Sequence, residues 1–111
     1  MAYDEHLAAR IRASVEGEDG LAEKRMFGGL AFLIGGNMAV AASGHGGLLV
    51  RSDPATSDSL LTSRGVAPME MRGRQMQGWL RVDDEAVRTK RQLEKWVRVG
   101  VGYAKTLPPK R

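Results

Sequence analysis

The sequence predicts an α+β fold: an antiparallel sheet of about five to six strands, with N-terminal, middle and C-terminal helices. Three observations point to it. Apolar residues recur at helical spacing at both ends of the chain. Short apolar runs punctuated by glycine pairs fill residues 24–51, and a second such pair of runs occupies 68–82. Connections of two to five residues can join antiparallel strands but are too short for parallel crossovers. Helices roofing one face of such a sheet make a two-layer sandwich.

Tyr3, Leu7, Ile11 and Val15 recur every four residues, with Ala8 beside them. They form one apolar helical face, and Asp4 and Glu5 suit the positive end of the helix dipole. Gly17 and Gly20 end this helix, placed at residues 3–16. Strands are expected near 24–27, 30–35, 38–43 and 47–52. Gly28-Gly29, Gly35-Gly36-Asn37 and the Ser43-Gly44-His45-Gly46-Gly47 run form the turns between them, because glycine supplies the positive φ that tight hairpins need. Asp53 as N-cap and Pro54 at the first helical position open a middle helix at 54–63, with Gly65 as its terminator.

Residues 68–82 read as a hairpin turning at Gly73-Arg74. Asp83-Asp84-Glu85 is expected to cap the last helix, on which Val87, Leu93, Trp96, Val97 and Ala104 lie on or near one face. Gly100 and Gly102 interrupt that helix; either its last turns fray, or a glycine packs against another backbone. Leu107-Pro108-Pro109 ends it, leaving Lys110-Arg111 as a tail.

At 111 residues, 42% apolar and 27% charged, the chain is expected to form one domain, residues 1–111. It has no cysteine, which excludes disulfides, thiolate metal sites and cysteine nucleophiles and suits a reducing cytoplasm. Its N-terminal segment carries Asp4, Glu5, His6 and Arg10 rather than the apolar run of a secretory signal. The longest apolar stretch, residues 30–34, is too short to span a bilayer. A cytoplasmic protein without membrane association is expected.

No catalytic constellation emerges, and a non-enzyme is expected. The glycine clusters lie between strands, whereas phosphate loops join a strand to a helix N-terminus. His6 and His45 are the only histidines, and Ser43 near His45 sits on a glycine-rich turn that holds neither rigidly. Asp83, Asp84 and Glu85 share a helix start that favours ionisation of all three, rather than the divergent pKa values of an acid–base pair. No metal-ligand spacing occurs, and no cofactor is expected. Met26, Met38, Met69, Met71 and Met76 fill irregular core gaps, or else form an adaptable partner-binding surface if exposed.

Charge is uneven. The net charge is +4, yet residues 1–50 hold four Lys/Arg against six Asp/Glu, and residues 51–111 hold thirteen against seven. Arg51, Arg72, Arg74 and Arg81 are the candidate contacts for a partner or for nucleic acid, with Arg72 and Arg74 flanking the hairpin tip where they could reach phosphates. A single-strand stacking platform needs interleaved aromatics, and only Trp79 lies nearby.

The ordered series Lys24-Arg25-Met26-Phe27-Gly28-Gly29, Leu48-Leu49-Val50-Arg51, Pro68-Met69, Gly73-Arg74-Gln75-Met76, Gly78-Trp79 and Leu107-Pro108 resembles the N-terminal domain of the TfoX/Sxy family of competence regulators. The resemblance covers nearly the whole chain. It implies the α+β fold reached above, and a link to transcriptional regulation of DNA uptake in cooperation with a DNA-binding activator. The regulators carry a second, helical C-terminal domain, so a chain of 111 residues is expected to be a stand-alone copy. The family supplies no catalytic residues to carry over.

The expectation is a non-enzymatic protein-interaction module, accessory to transcription, whose partner belongs to the transcription machinery or its regulators. Two alternatives are weak, non-specific nucleic-acid binding through the basic half, and binding of a small molecule of unknown identity. Open sheet edges could also pair across a two-fold axis, giving a homodimer.

Overall fold

The computed structural model describes residues 3–26 and 28–110, together with all their side chains except that of Met71. Asp4 opens the first helix, α1 (Glu5–Val15), and its carboxylate accepts the backbone N–H of His6 and Leu7. Leu7, Ala8, Ile11 and Val15 are its buried face. A hairpin series follows: β1 (Leu21–Met26), β2 (Gly29–Ile34), β3 (Asn37–Ala42) and β4 (Leu48–Arg51). β1 starts three residues before the expected 24, while Phe27, placed at the end of that strand by the sequence, lies outside the described residues. The Gly35-Gly36 turn between β2 and β3 has φ of 60° and 83°, a left-handed pair that side-chain-bearing residues adopt only at a cost.

The chain then makes an excursion and returns as β5 (Val66–Met71) and β6 (Arg74–Val82). All neighbouring strands run antiparallel in the order β1-β2-β3-β4-β6-β5. The last helix, α3 (Lys90–Thr106), runs back over β3 and β4. Leu7, Ile11 and Val15 of α1 and Leu93, Trp96 and Val97 of α3 join Phe32, Val40, Val50 and Leu80 of the sheet in one core. Burial of side chains like these contributes roughly 1.5–3 kcal/mol each, which makes this layer the main source of stability.

Two expectations are corrected. The middle helix spans only Ser57–Leu60 (α2), not 54–63. Asp53 accepts the Ala55 amide on its side chain and the Thr56 amide on its carbonyl, so Pro54 opens a turn. Thr56, Ser57, Ser59 and Thr62 hydroxyls each bond to the carbonyl three residues back. These bonds offer the backbone an alternative to helix. Second, Asp83-Asp84-Glu85 does not cap α3. Asp84–Val87 is a turn of 3-10 helix, and Asp83 makes no side-chain cap bond to it. The cap of α3 is Thr89, whose hydroxyl accepts the Gln92 amide while the Gln92 side chain accepts the Thr89 amide. That reciprocal pair is a capping box.

Gly100 packs against another backbone. A β-bulge in β3 pairs Phe32 with Val40 and Leu33 with Met38, leaving Ala39 as the extra residue. A Cβ on Gly100 would overlap the Ala39 carbonyl oxygen and lie 2.7 Å from Val40 Cγ1. Only a glycine lets α3 approach so closely. Beyond α3 the chain is strapped to the β2–β3 turn: Asn37 Nδ2 donates to the Pro108 carbonyl at 2.9 Å, and the Lys110 amide to that of Gly35 at 2.7 Å.

Candidate docking face

A sheet has two faces, and α1 and α3 cover one of them. Strand alternation sends every second side chain to the other. There Ala31, Met38, Ala41 and Leu49 form a second buried cluster, against which Met26, Leu33, Met69 and Trp79 pack half-buried. Among the described residues, every member of this cluster stands on a strand and none on a helix. The floor is closed by its own neighbours, and the half-exposed Met26, Leu33, Met69 and Trp79 form the surface that a partner would touch.

The register puts charge at both sides of this surface. Lys24 pairs with Ala31, Ala31 with Ala41, Ala41 with Leu49 and Leu49 with Arg81. One row across the six strands therefore runs Lys24, Ala31, Ala41, Leu49, Arg81 and Ala67, with one cation on the edge strand β1 and the other on β6, next to the opposite edge. Lys24 and Arg81 are exposed. Arg51 lies opposite Trp79, its guanidinium 5.1 Å from the Trp79 ring centre and 5.7 Å from that of Tyr103 on α3. Stacking of this kind is worth about 0.5–1 kcal/mol per ring at exposed sites, so Arg51 ties the end of β4 to α3 and holds the Trp79 ring in place.

The four arginines singled out in the sequence therefore separate. Arg51 and Arg81 flank Trp79 and Leu49 on this face. Arg72 and Arg74 are exposed at the β5–β6 tip, where Arg72 adopts a left-handed φ of 54°. Arg74 is seven positions from Arg81 along β6, but β6 bulges between Met76 and Leu80, and their β5 partners Met71 and Ala67 are four positions apart, about 13 Å at the usual strand rise. Of the methionines, Met38 is buried, Met26 and Met69 line the face, and Met76 is half-buried beside α2. The side chain of Met71 lies outside the described residues.

Elsewhere the polar groups serve the fold. Ser43 Oγ accepts the backbone amide of His45, and the His45 and His6 side chains are exposed. Arg10 Nη2 donates to the Val87 and Arg88 carbonyls, anchoring α1 to the segment that leads into α3. Arg12 meets Glu23 of β1 through two hydrogen bonds of 2.6 and 2.8 Å. This hydrogen bonding holds the Glu23 carboxyl below its ordinary range, against the opposing effect of burial and aided by the guanidinium charge. Among the described residues no three His, Asp or Glu side chains converge as a metal site. No described helix is long and apolar enough to cross a membrane. A surface hollow bounded by Arg64, Arg88, Gln92 and Lys95 has a volume of about 490 Å³.

Fold and face together define a small α+β domain with one sheet surface built into a helical sandwich and the other left to its own side chains. The family model for the TfoX N-terminal domain matches residues 13–104, and the chain belongs to that family. No curated protein and no solved structure matches it.

Proposed function

We propose that the protein is a non-enzymatic interaction module of the cytoplasm that serves transcriptional regulation, as its family resemblance to competence regulators suggests. The observation that supports this reading is the apolar sheet face without a helical cover. Half-exposed methionines give an adaptable contact surface, and a tryptophan beside arginine is a frequent anchor of protein interfaces. The sheet edges suit docking less well. β1 carries exposed Glu23, Lys24 and Arg25, and β5 carries Pro68 and a break in register at Pro68/Met69. Charge, proline and bulges at an edge discourage strand addition.

Affinity capture from cell extract tests the reading, with the native chain, Leu33→Glu, and Arg72→Ala/Arg74→Ala as baits. A protein retained in fixed proportion by the native chain and the double arginine variant, and lost with Leu33→Glu, is expected. Recovery of nucleic acid alone, abolished by the double arginine variant, would favour the hairpin tip as a nucleic-acid contact and contradict the proposal.

A further inference from the structure

We propose that the occupant of this face is an acidic amphipathic helix of a partner protein, lying along the strands between Lys24 and Arg81; this rests on the reading of the face as a protein-docking surface. The geometry sets the size. Lys24 on β1 and Arg81 on β6 are four strand spacings apart in the sheet order, about 19 Å at the usual separation. A helix with its side chains is about 10–12 Å across, so one helix fits between the two cations with reach left for acidic side chains on either flank. Ala31 and Ala41 stand at the middle of the row and are buried beneath their neighbours, so the apolar ridge of a helix would rest on the side chains that close this floor. That half-exposed surface is Leu33 on β2 and Trp79 on β6, with Met26 beside Lys24 on β1 and Met69 beyond Arg81 on β5.

Charge decides the partner's chemistry. The positions that strand alternation and register assign to this face carry Lys24, Arg51, Arg81 and, toward the hairpin tip, Arg74, and no carboxylate; Glu70 and Asp83 border the outer edge of β5 beside Arg81. Glu23, the acidic residue of β1, is on the opposite face and held by Arg12. A second copy of this chain docked face to face would bring cations against cations, which disfavours self-association through this surface. Nucleic acid suits it poorly as well. The centre is aliphatic, and among the described residues of the face the aromatic Trp79 already stacks under Arg51, whereas strand-binding surfaces present successive free aromatic platforms. An apolar ridge flanked by Glu or Asp satisfies both the centre and the rim.

The test uses the full chain and three probes. One is a synthetic helix-forming peptide of about 16 residues, long enough to run the length of the strands, with Leu and Phe on one face and Glu flanking it. The second has Lys in place of each Glu, and the third is a single-stranded oligonucleotide. Trp96 is buried and Trp79 half-exposed, so a change in tryptophan emission reports on this face. The acidic peptide is expected to saturate the signal, with affinity reduced several-fold by Lys24→Glu or Arg81→Glu and by added salt, and abolished by Leu33→Glu. Circular dichroism checks that each variant remains folded. Equal binding of the basic peptide, a response to the oligonucleotide alone, or light scattering showing that the face is occupied by a second copy would each overturn the proposal. Failure of the acidic peptide alongside a captured protein still lost with Leu33→Glu would reject the acidic helix and leave the docking face standing. Capture indifferent to Leu33→Glu would reject both.

Discussion

Gly100 and Gly102 lie two residues apart on one helix and carry opposite meanings. A Cβ at Gly102 meets nothing within 4 Å, whereas at Gly100 it would overlap the Ala39 carbonyl. Gly102→Ala should therefore stabilise the protein by up to about 1 kcal/mol, the helix-propensity difference. Gly100→Ala gains the same propensity but must push α3 off β3, with a net loss of about 1–3 kcal/mol, the usual range for an overpacked core. Thermal or denaturant unfolding of the two variants checks the sign of each. Another consequence at this scale concerns pH. The Glu23 carboxyl titrates below its ordinary range because Arg12 hydrogen-bonds it. Its contribution is therefore present above the carboxylate's unfolded pKa and is lost as pH falls through the lowered folded value. The difference in melting temperature between the native chain and Glu23→Gln should be small, largest near neutral pH, and should vanish in acid. High salt should shrink it too, since both side chains are partly exposed.

At the scale of the elements, what could be read from the sequence depended on whether the signal was local. The glycine-punctuated hairpins and the apolar stripes of α1 and α3 are local patterns, and each expected strand and terminal helix is present within a few residues. The middle helix was overstated because Ser and Thr hydroxyls bond to the carbonyls three residues back, a competition that apolar spacing does not reveal. The cap of α3 does have a local signature: Thr89 and Gln92 stand at the spacing of a capping box, next to an acidic run at residues 83–85 that suits a helix start equally well by composition. Thr89→Ala should cost about 1 kcal/mol, lowering the melting temperature by about 4–8 °C for a domain of this order of size. Alanine at Asp83, which makes no side-chain cap bond, should leave it nearly unchanged. Differential scanning calorimetry of the pair separates the two assignments.

Across the whole molecule, the chain builds its sheet with two apolar surfaces and two long helices to cover one of them. A trace of the second surface was legible: residues 29–34 and 37–42 are nearly continuous apolar runs rather than alternating ones, the pattern of strands covered on both faces. The charged rim was not legible. Lys24 and Arg81 share a row only because β4 pairs with β6 across the excursion through α2 and β5, a long-range contact with no local signature. The same register places Arg51 and Arg81 on the sheet face and Arg72 and Arg74 at the hairpin tip, with Arg74 opposite Met71 on the side of that face.

Site-specific photo-crosslinking tests the docking face most directly, with a benzophenone side chain placed at position 33 on the bare sheet surface or at position 9 on the exposed side of α1. Irradiation in cells should join the chain bearing the probe at 33 to one discrete protein and leave the other without that product. Equal products from both positions, or a product only from position 9, would contradict it.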